Sequence, residues 1–102
     1  MHVIKPPRIR EFATRHPDAA ESLYRWLRIT RQADWTSLVV IRRFFASADE
    51  VLTASGRPVV IFNIRGNNYR LITAVHYNRG DVFVLKFLTH AEYSKDTWKS
   101  NL

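Results

Sequence analysis

At 102 residues, 46% hydrophobic and 25% charged, the chain has the makeup of an ordinary globular protein with one modest core. Its 16 Lys and Arg against 9 Asp and Glu leave a net charge of +7, dominated by arginine, which points to nucleic acid or an acidic protein partner. There is no cysteine, which excludes disulfides and thiolate metal sites, and no apolar run approaches the ~20 residues that span a bilayer.

The start, Met1 to Pro7, lacks the apolar centre of a signal peptide. The expectation is a soluble cytoplasmic protein of one domain, residues 1–102. His2 to Lys5 reads as a short strand at a sheet edge, stopped by Pro6 and Pro7. Pro7 suits a first helical turn, and Ile9, Phe12 and Ala13 follow at helical spacing. That helix should end near Arg15, because Pro17 disfavours helical geometry at His16. Pro17 then opens a second helix, with Asp18 and Glu21 at its positive end and Leu23, Trp26, Leu27 and Thr30 on one face. The two form an αα-hairpin. Ser37 to Ala46 fits a short helix or a strand, and in the helical reading Arg42 and Arg43 protrude. Ser47 to Gly56 reads as a loop.

Pro58 to Ile64 is rich in Val, Ile and Phe without alternation, as a buried strand should be. Turns at Arg65 to Asn68 and Asn78 to Asp81 separate it from strands over Tyr69 to Tyr77 and Val82 to Leu88. A helix from His90 to about Trp98 closes this meander, and Ser100 to Leu102 reads as a frayed end. The expected class is α+β. A small antiparallel sheet, the three-strand meander plus the short N-terminal strand, packs against the αα-hairpin, with a short C-terminal helix. The sheet's other face is left as an open groove.

Thr89 followed by Glu92 is a capping box, and the helix start it marks carries free N–H groups that favour phosphate. His90 and Tyr93, three apart, share a face beside that end. An imidazole, a phenol and a phosphate-binding end make a corner suited to phosphodiester cleavage; the plainer alternative is a cap with two packing residues. Arg70 interrupts an apolar strand, which is costly unless it meets solvent or an anion, so it reads as a phosphate clamp or a solvated strand residue. Arg65 is a candidate backbone contact, and Arg42 and Arg43 candidates for the same basic track. Asn67 and Asn68 serve the turn or touch a nucleotide. Lys86 is placed to stabilise a pentavalent phosphorane. If Tyr77 opposes Val82, however, Arg70 shares a face with Phe83, Leu85 and Phe87, and Lys86 points away unless an odd loop or a bulge intervenes. The four histidines show no metal-ligand spacing, and no Gly-rich phosphate loop or nucleophile elbow is present. No metal or cofactor is expected.

Val60 to Ile72, VIFNIRGNNYRLI, resembles the HigB family of bacterial toxins, and Thr89-His90-Ala91-Glu92-Tyr93 followed by Trp98-Lys99 strengthens the likeness. The resemblance implies a RelE-like fold, an endoribonuclease that cleaves mRNA on the translating ribosome, and a HigA-type helix-turn-helix antitoxin. By position it implies roles for Arg70, His90 and Tyr93, with Asn67 and Asn68 near the substrate. Family members often carry a basic residue where Leu85 stands, one place before Lys86. The expected chemistry is metal-independent attack by the ribose 2′-OH. Arg70, with Lys86, steadies the phosphate; His90 or Tyr93 moves protons, or Tyr93 stacks on a base. The rival readings are a non-catalytic RNA- or DNA-binding module and an adaptor that docks an acidic protein.

Overall fold

The computed structural model describes residues 1–102. Two helices lie near the N-terminus, the second starting at Ala20 rather than at Pro17 as expected. In α1 (Pro7–Arg15), Pro7 occupies a position whose N–H would be unpaired anyway, and Ile9, Phe12 and Ala13 are buried. A 3-10 turn (Pro17–Ala19) leads into α2 (Ala20–Gln32), whose Leu23, Trp26, Leu27 and Thr30 face inward. The hairpin is therefore as expected. The ambiguous segment forms α3 (Leu38–Arg42), with the Ser37 hydroxyl accepting from the Val40 N–H at its start.

The sheet has five strands: β1 (His2–Ile4), β2 (Asp49–Leu52), β3 (Pro58–Ile64), β4 (Tyr69–His76) and β5 (Asp81–Thr89), in the order β1-β5-β4-β3-β2. It is one strand larger than expected and mixed, because β1 runs parallel to β5, with Val3 opposite Val82. Strand β2 falls within the stretch expected to be a loop. It is an edge strand with three of its four residues exposed, so no alternating burial marks it in the sequence.

One face of the sheet, including Val60, Phe62, Leu71, Val84 and Phe87, meets the helices in the main core. Phe62 is its centre: Trp26, Trp35 and Phe45 surround it, with ring centroids 5.5, 5.8 and 5.2 Å away. Aromatic side chains of this size each contribute roughly 1.5–3 kcal/mol by leaving water. The other face is not an open groove throughout. Val59, Ile61 and Ile72 form a second cluster there, covered by Trp98. The C-terminal helix is shorter than expected: α4 (His90–Ser94) stops before Asp96, which is left-handed at φ 61°, and a 3-10 turn (Thr97–Asn101) folds back over the sheet. Nor is the end frayed. Ala54 N–H donates to the Lys99 carbonyl, and the Thr53 and Ser55 hydroxyls donate to Leu102 O.

The ladder between β4 and β5 contains the irregularity that shapes the second face. His76 opposes Asp81, and the pairing is regular down to Thr73 and Val84; Ile72 then faces Lys86, leaving Leu85 as an extra residue. Arg8 on α1 donates to the carbonyls of Val84 and Leu85, at 3.1 and 3.0 Å, so acceptors at the kink are paired from the helical side. No helix of the chain is long and apolar enough to cross a membrane.

Candidate active site

Arg70 lies on the second face of the sheet, only 8% exposed. Its guanidinium donates to the Asn67 and Tyr69 carbonyls, both at 3.1 Å, to Asn67 Oδ1 at 2.5 Å and towards His90 Nδ1 at 3.2 Å. Every one of these partners is neutral in that arrangement. The ion pairs of the chain are His2–Asp81, Arg42–Asp49, Arg65–Asp18 and Lys99–Asp96, so Arg70 has no carboxylate within 4.0 Å. A nearly buried cation without a counter-charge favours an approaching anion, because removal from water disfavours an uncompensated charge.

His90 and Tyr93 reach this cation from α4. The capping box forms as the spacing predicts: Glu92 N–H donates to Thr89 Oγ1 at 3.1 Å, and Thr89 N–H to Glu92 Oε1 at 2.9 Å. These bonds hold the Glu92 carboxyl below its ordinary range, the Thr89 N–H being the largest cause. The His90 N–H donates to the Asn68 carbonyl at 2.9 Å, tying the helix to the β3–β4 turn. Arginine can only donate, so the contact at 3.2 Å makes Nδ1 the acceptor and leaves the proton of a neutral His90 on Nε2. The Tyr93 ring lies 5.6 Å from the Arg70 guanidinium carbon, with Trp98 stacked on it at 5.2 Å. Burial, reinforced by Asp49, raises the Tyr93 phenol above its ordinary value, so it keeps its proton at neutral pH. Its ring is already occupied by these neighbours, which argues against the stacking role considered from sequence.

The remaining candidates divide. Lys86 shares the Arg70 face because of the extra Leu85; in an unbroken ladder it would oppose Leu71 on the helix-covered side. It lines a cavity of about 300 Å³ with Leu88, Glu92, Lys95, Thr97, Trp98 and Asn101, and makes no ion pair. Asn67 and Asn68 line a second cavity, about 460 Å³, with Tyr69, Thr89, His90 and Ala91. Asn67 also supplies two of the Arg70 acceptors. Arg65 is not a free cation: it pairs with Asp18 at 3.4 Å, and the Tyr69 hydroxyl donates to the same carboxylate at 2.9 Å. That bond is the main reason the Tyr69 phenol is raised. Arg42 sits at the β2 edge, donating to the Ala48 carbonyl at 2.8 Å and pairing with Asp49 at 3.5 Å. Asp49 opposes Ile61, which puts this pair at the rim of the same face. Arg43 is elsewhere, in a groove with Arg25, Ile29 and Phe44. Arg42 and Arg43 therefore do not form one track, because adjacent helical residues point in different directions.

Sequence reasoning gave no role to Arg8, which braces the bulge, or to the Trp98 that supports Tyr93. The only prior signal for Trp98 was its place in the family-like C-terminal motif. No cluster of three or more His, Asp or Glu side chains is arranged to hold a metal ion.

Two comparisons bear on this site. A family model, HigB_toxin, described as the RelE-like toxic component of a toxin-antitoxin system, matches residues 19–96. The mRNA interferase HigB of Escherichia coli O6:H1 (strain CFT073) is 27% identical to the chain over 97 residues, covering 95% of this chain and 92% of the relative.

Proposed function

This chain belongs to the HigB family of RelE-like toxins, and from that premise we propose how an mRNA-cleaving toxin of a toxin-antitoxin module works through Arg70, His90 and Tyr93. The observation that carries the reading is the nearly buried Arg70, whose guanidinium has no carboxylate partner and is flanked by an imidazole and a phenol. The scissile phosphate of mRNA supplies the missing negative charge. Arginine matches its oxygens with paired donors.

The ribose 2′-oxygen attacks the adjacent phosphorus while the bond from phosphorus to the 5′-oxygen breaks. Charge grows on the phosphate oxygens, where Arg70 stabilises it, with Lys86 as a second cation on the same face. When phosphate draws the Arg70 donor away, the His90 Nδ1 lone pair is freed and takes the 2′-hydroxyl proton. The Tyr93 phenol, which retains its proton at neutral pH, supplies one to the departing 5′-oxygen. The products are a 2′,3′-cyclic phosphate and a 5′-hydroxyl, formed without a metal or other cofactor. Asn67 and Asn68 contact the nucleotide beside the scissile bond, Arg42 follows the backbone at the rim, and Arg65 does so when it leaves Asp18. Residues 1–102 act as one toxin domain in the cytoplasm, on ribosome-associated mRNA, opposed by a HigA-type helix-turn-helix antitoxin.

The test is cleavage of mRNA with chemical identification of the new ends, in the presence of EDTA. The expected ends are a cyclic or 3′-phosphate and a 5′-hydroxyl; a terminal 5′-phosphate overturns the mechanism. His90→Ala should retain RNA affinity within about threefold while cleavage falls about 10²-fold or more. Unchanged cleavage would remove His90 from the site.

A further inference from the structure

Trp98 is 4% exposed and packed against Val59, Ile61 and Ile72 of the sheet. Its ring stacks on Tyr93 at 5.2 Å and 20°, and its indole N–H donates to the Tyr93 carbonyl at 3.0 Å. It thus holds both the side chain and the backbone of one residue. The turn that brings it there depends on the left-handed Asp96, whose carboxylate pairs with Lys99 at 3.3 Å; the Lys99 ammonium also lies 5.8 Å from the Trp98 ring. The Lys99 carbonyl accepts from Ala54, so the segment is fastened to the β2–β3 connection.

The helix α4 is too short to be stable alone, since five residues hardly repay helix nucleation. Its N-terminal end is held by the capping box and the Asn68 carbonyl. Its C-terminal end, where Tyr93 sits, is held by Trp98. We propose that Trp98 is a positioning residue for RNA cleavage: anchored in the sheet, it sets the Tyr93 ring and phenol against the Arg70 guanidinium. This rests on the site reading above. Lys99, Trp98, Tyr93 and Arg70 are in successive contact, at 5.8, 5.2 and 5.6 Å, and in that reading Tyr93 and Arg70 are the members that act on the substrate. An indole that fixes the phenol acts on the rate, because reacting groups lose effectiveness steeply when misplaced.

The experiment compares Trp98→Phe, Trp98→Leu, Tyr93→Ala and the Trp98→Leu/Tyr93→Ala pair. Each is first matched to the unaltered chain by far-UV circular dichroism. Trp98→Leu should lower kcat about tenfold or more with KM changed less than about twofold, and Trp98→Phe, which can still stack, should recover most of the loss. In the Tyr93→Ala background, Trp98→Leu should cost less than about twofold further, because its route of action is gone. A second measurement follows the tyrosine ring by carbon-13 NMR during alkaline titration. The Tyr93 phenol is held high mainly by burial, so Trp98→Leu should return it towards the ordinary value. An equal loss in both backgrounds, or a loss confined to KM, overturns the positioning role. Full cleavage by Tyr93→Ala overturns the site reading instead, and an unchanged Tyr93 titration in Trp98→Leu then overturns the positioning role separately.

Discussion

Replacing Arg70 by methionine should separate stability from activity in this toxin. The stem of the side chain is preserved and the charge is lost. In the native protein Arg70 is 8% exposed and its guanidinium has no carboxylate within 4.0 Å. Holding an ion out of water costs several kcal/mol, offset here by hydrogen bonds to Asn67, Tyr69 and His90. Each such bond to a charged group contributes about 1.5–3 kcal/mol. Asn67 and His90 are exposed, so water replaces the guanidinium at their freed acceptors. The terms oppose one another, so Arg70→Met should alter unfolding free energy by less than about 3 kcal/mol in either direction. Cleavage should fall about 10²–10³-fold, the usual effect of removing one donor that stabilises transition-state charge. Urea denaturation gives the first quantity and single-turnover cleavage of a labelled mRNA the second. A destabilisation above about 3 kcal/mol would show that Arg70 is a structural strut, and cleavage within about tenfold of the native rate would show that the phosphate does not sit there.

Two other perturbations test the supports of the site. Arg8→Met leaves the Val84 and Leu85 carbonyls at the bulge without their donor, so urea unfolding should report a loss of about 2 kcal/mol; cleavage should also weaken as Lys86 loses its fixed place, and unchanged stability would refute the brace. The folded-state pKa of Glu92 is lowered, so the stability it adds is present above the ordinary carboxylate value of 4.5 and is lost as pH falls through the lower folded value. The protection of the His90–Ser94 amides, taken relative to their intrinsic exchange rates, should therefore fall below about pH 4.5 ahead of that of the sheet amides, and in Glu92→Ala it should be low at neutral pH as well; an α4 whose protection follows that of the sheet at every pH would contradict this.

The features legible from sequence were those written in local chemistry. Pro7 and Pro17 with their apolar spacing revealed α1 and the turn into α2, the Val- and Ile-rich runs revealed β3 to β5, and the Thr89–Glu92 pair revealed the start of α4. What escaped depends on distant partners. Strand β2 exists because β3 offers an edge, and Asp49 and Glu50 disguise it as a loop. The parallel place of β1 beside β5 is a pairing across most of the chain, which no local pattern encodes. By strand parity Lys86 points away from Arg70 unless an odd loop or a bulge intervenes. Only the ladder reveals that Leu85 supplies the bulge. Charge was the least informative guide: Arg65 is engaged by Asp18 and Arg43 lies in a separate groove, although both looked like free cations.

The pairing of His2 with Asp81 has a consequence for biosynthesis. The first strand to leave the ribosome cannot be seated until the last strand emerges, and contacts so remote in sequence form late. Arg70, His90 and Tyr93 also belong to the final third of the chain. With the site proposed above, a nascent copy lacks its full cleavage machinery for most of its own translation, and a prematurely terminated one ending before α4 lacks His90 and Tyr93 altogether.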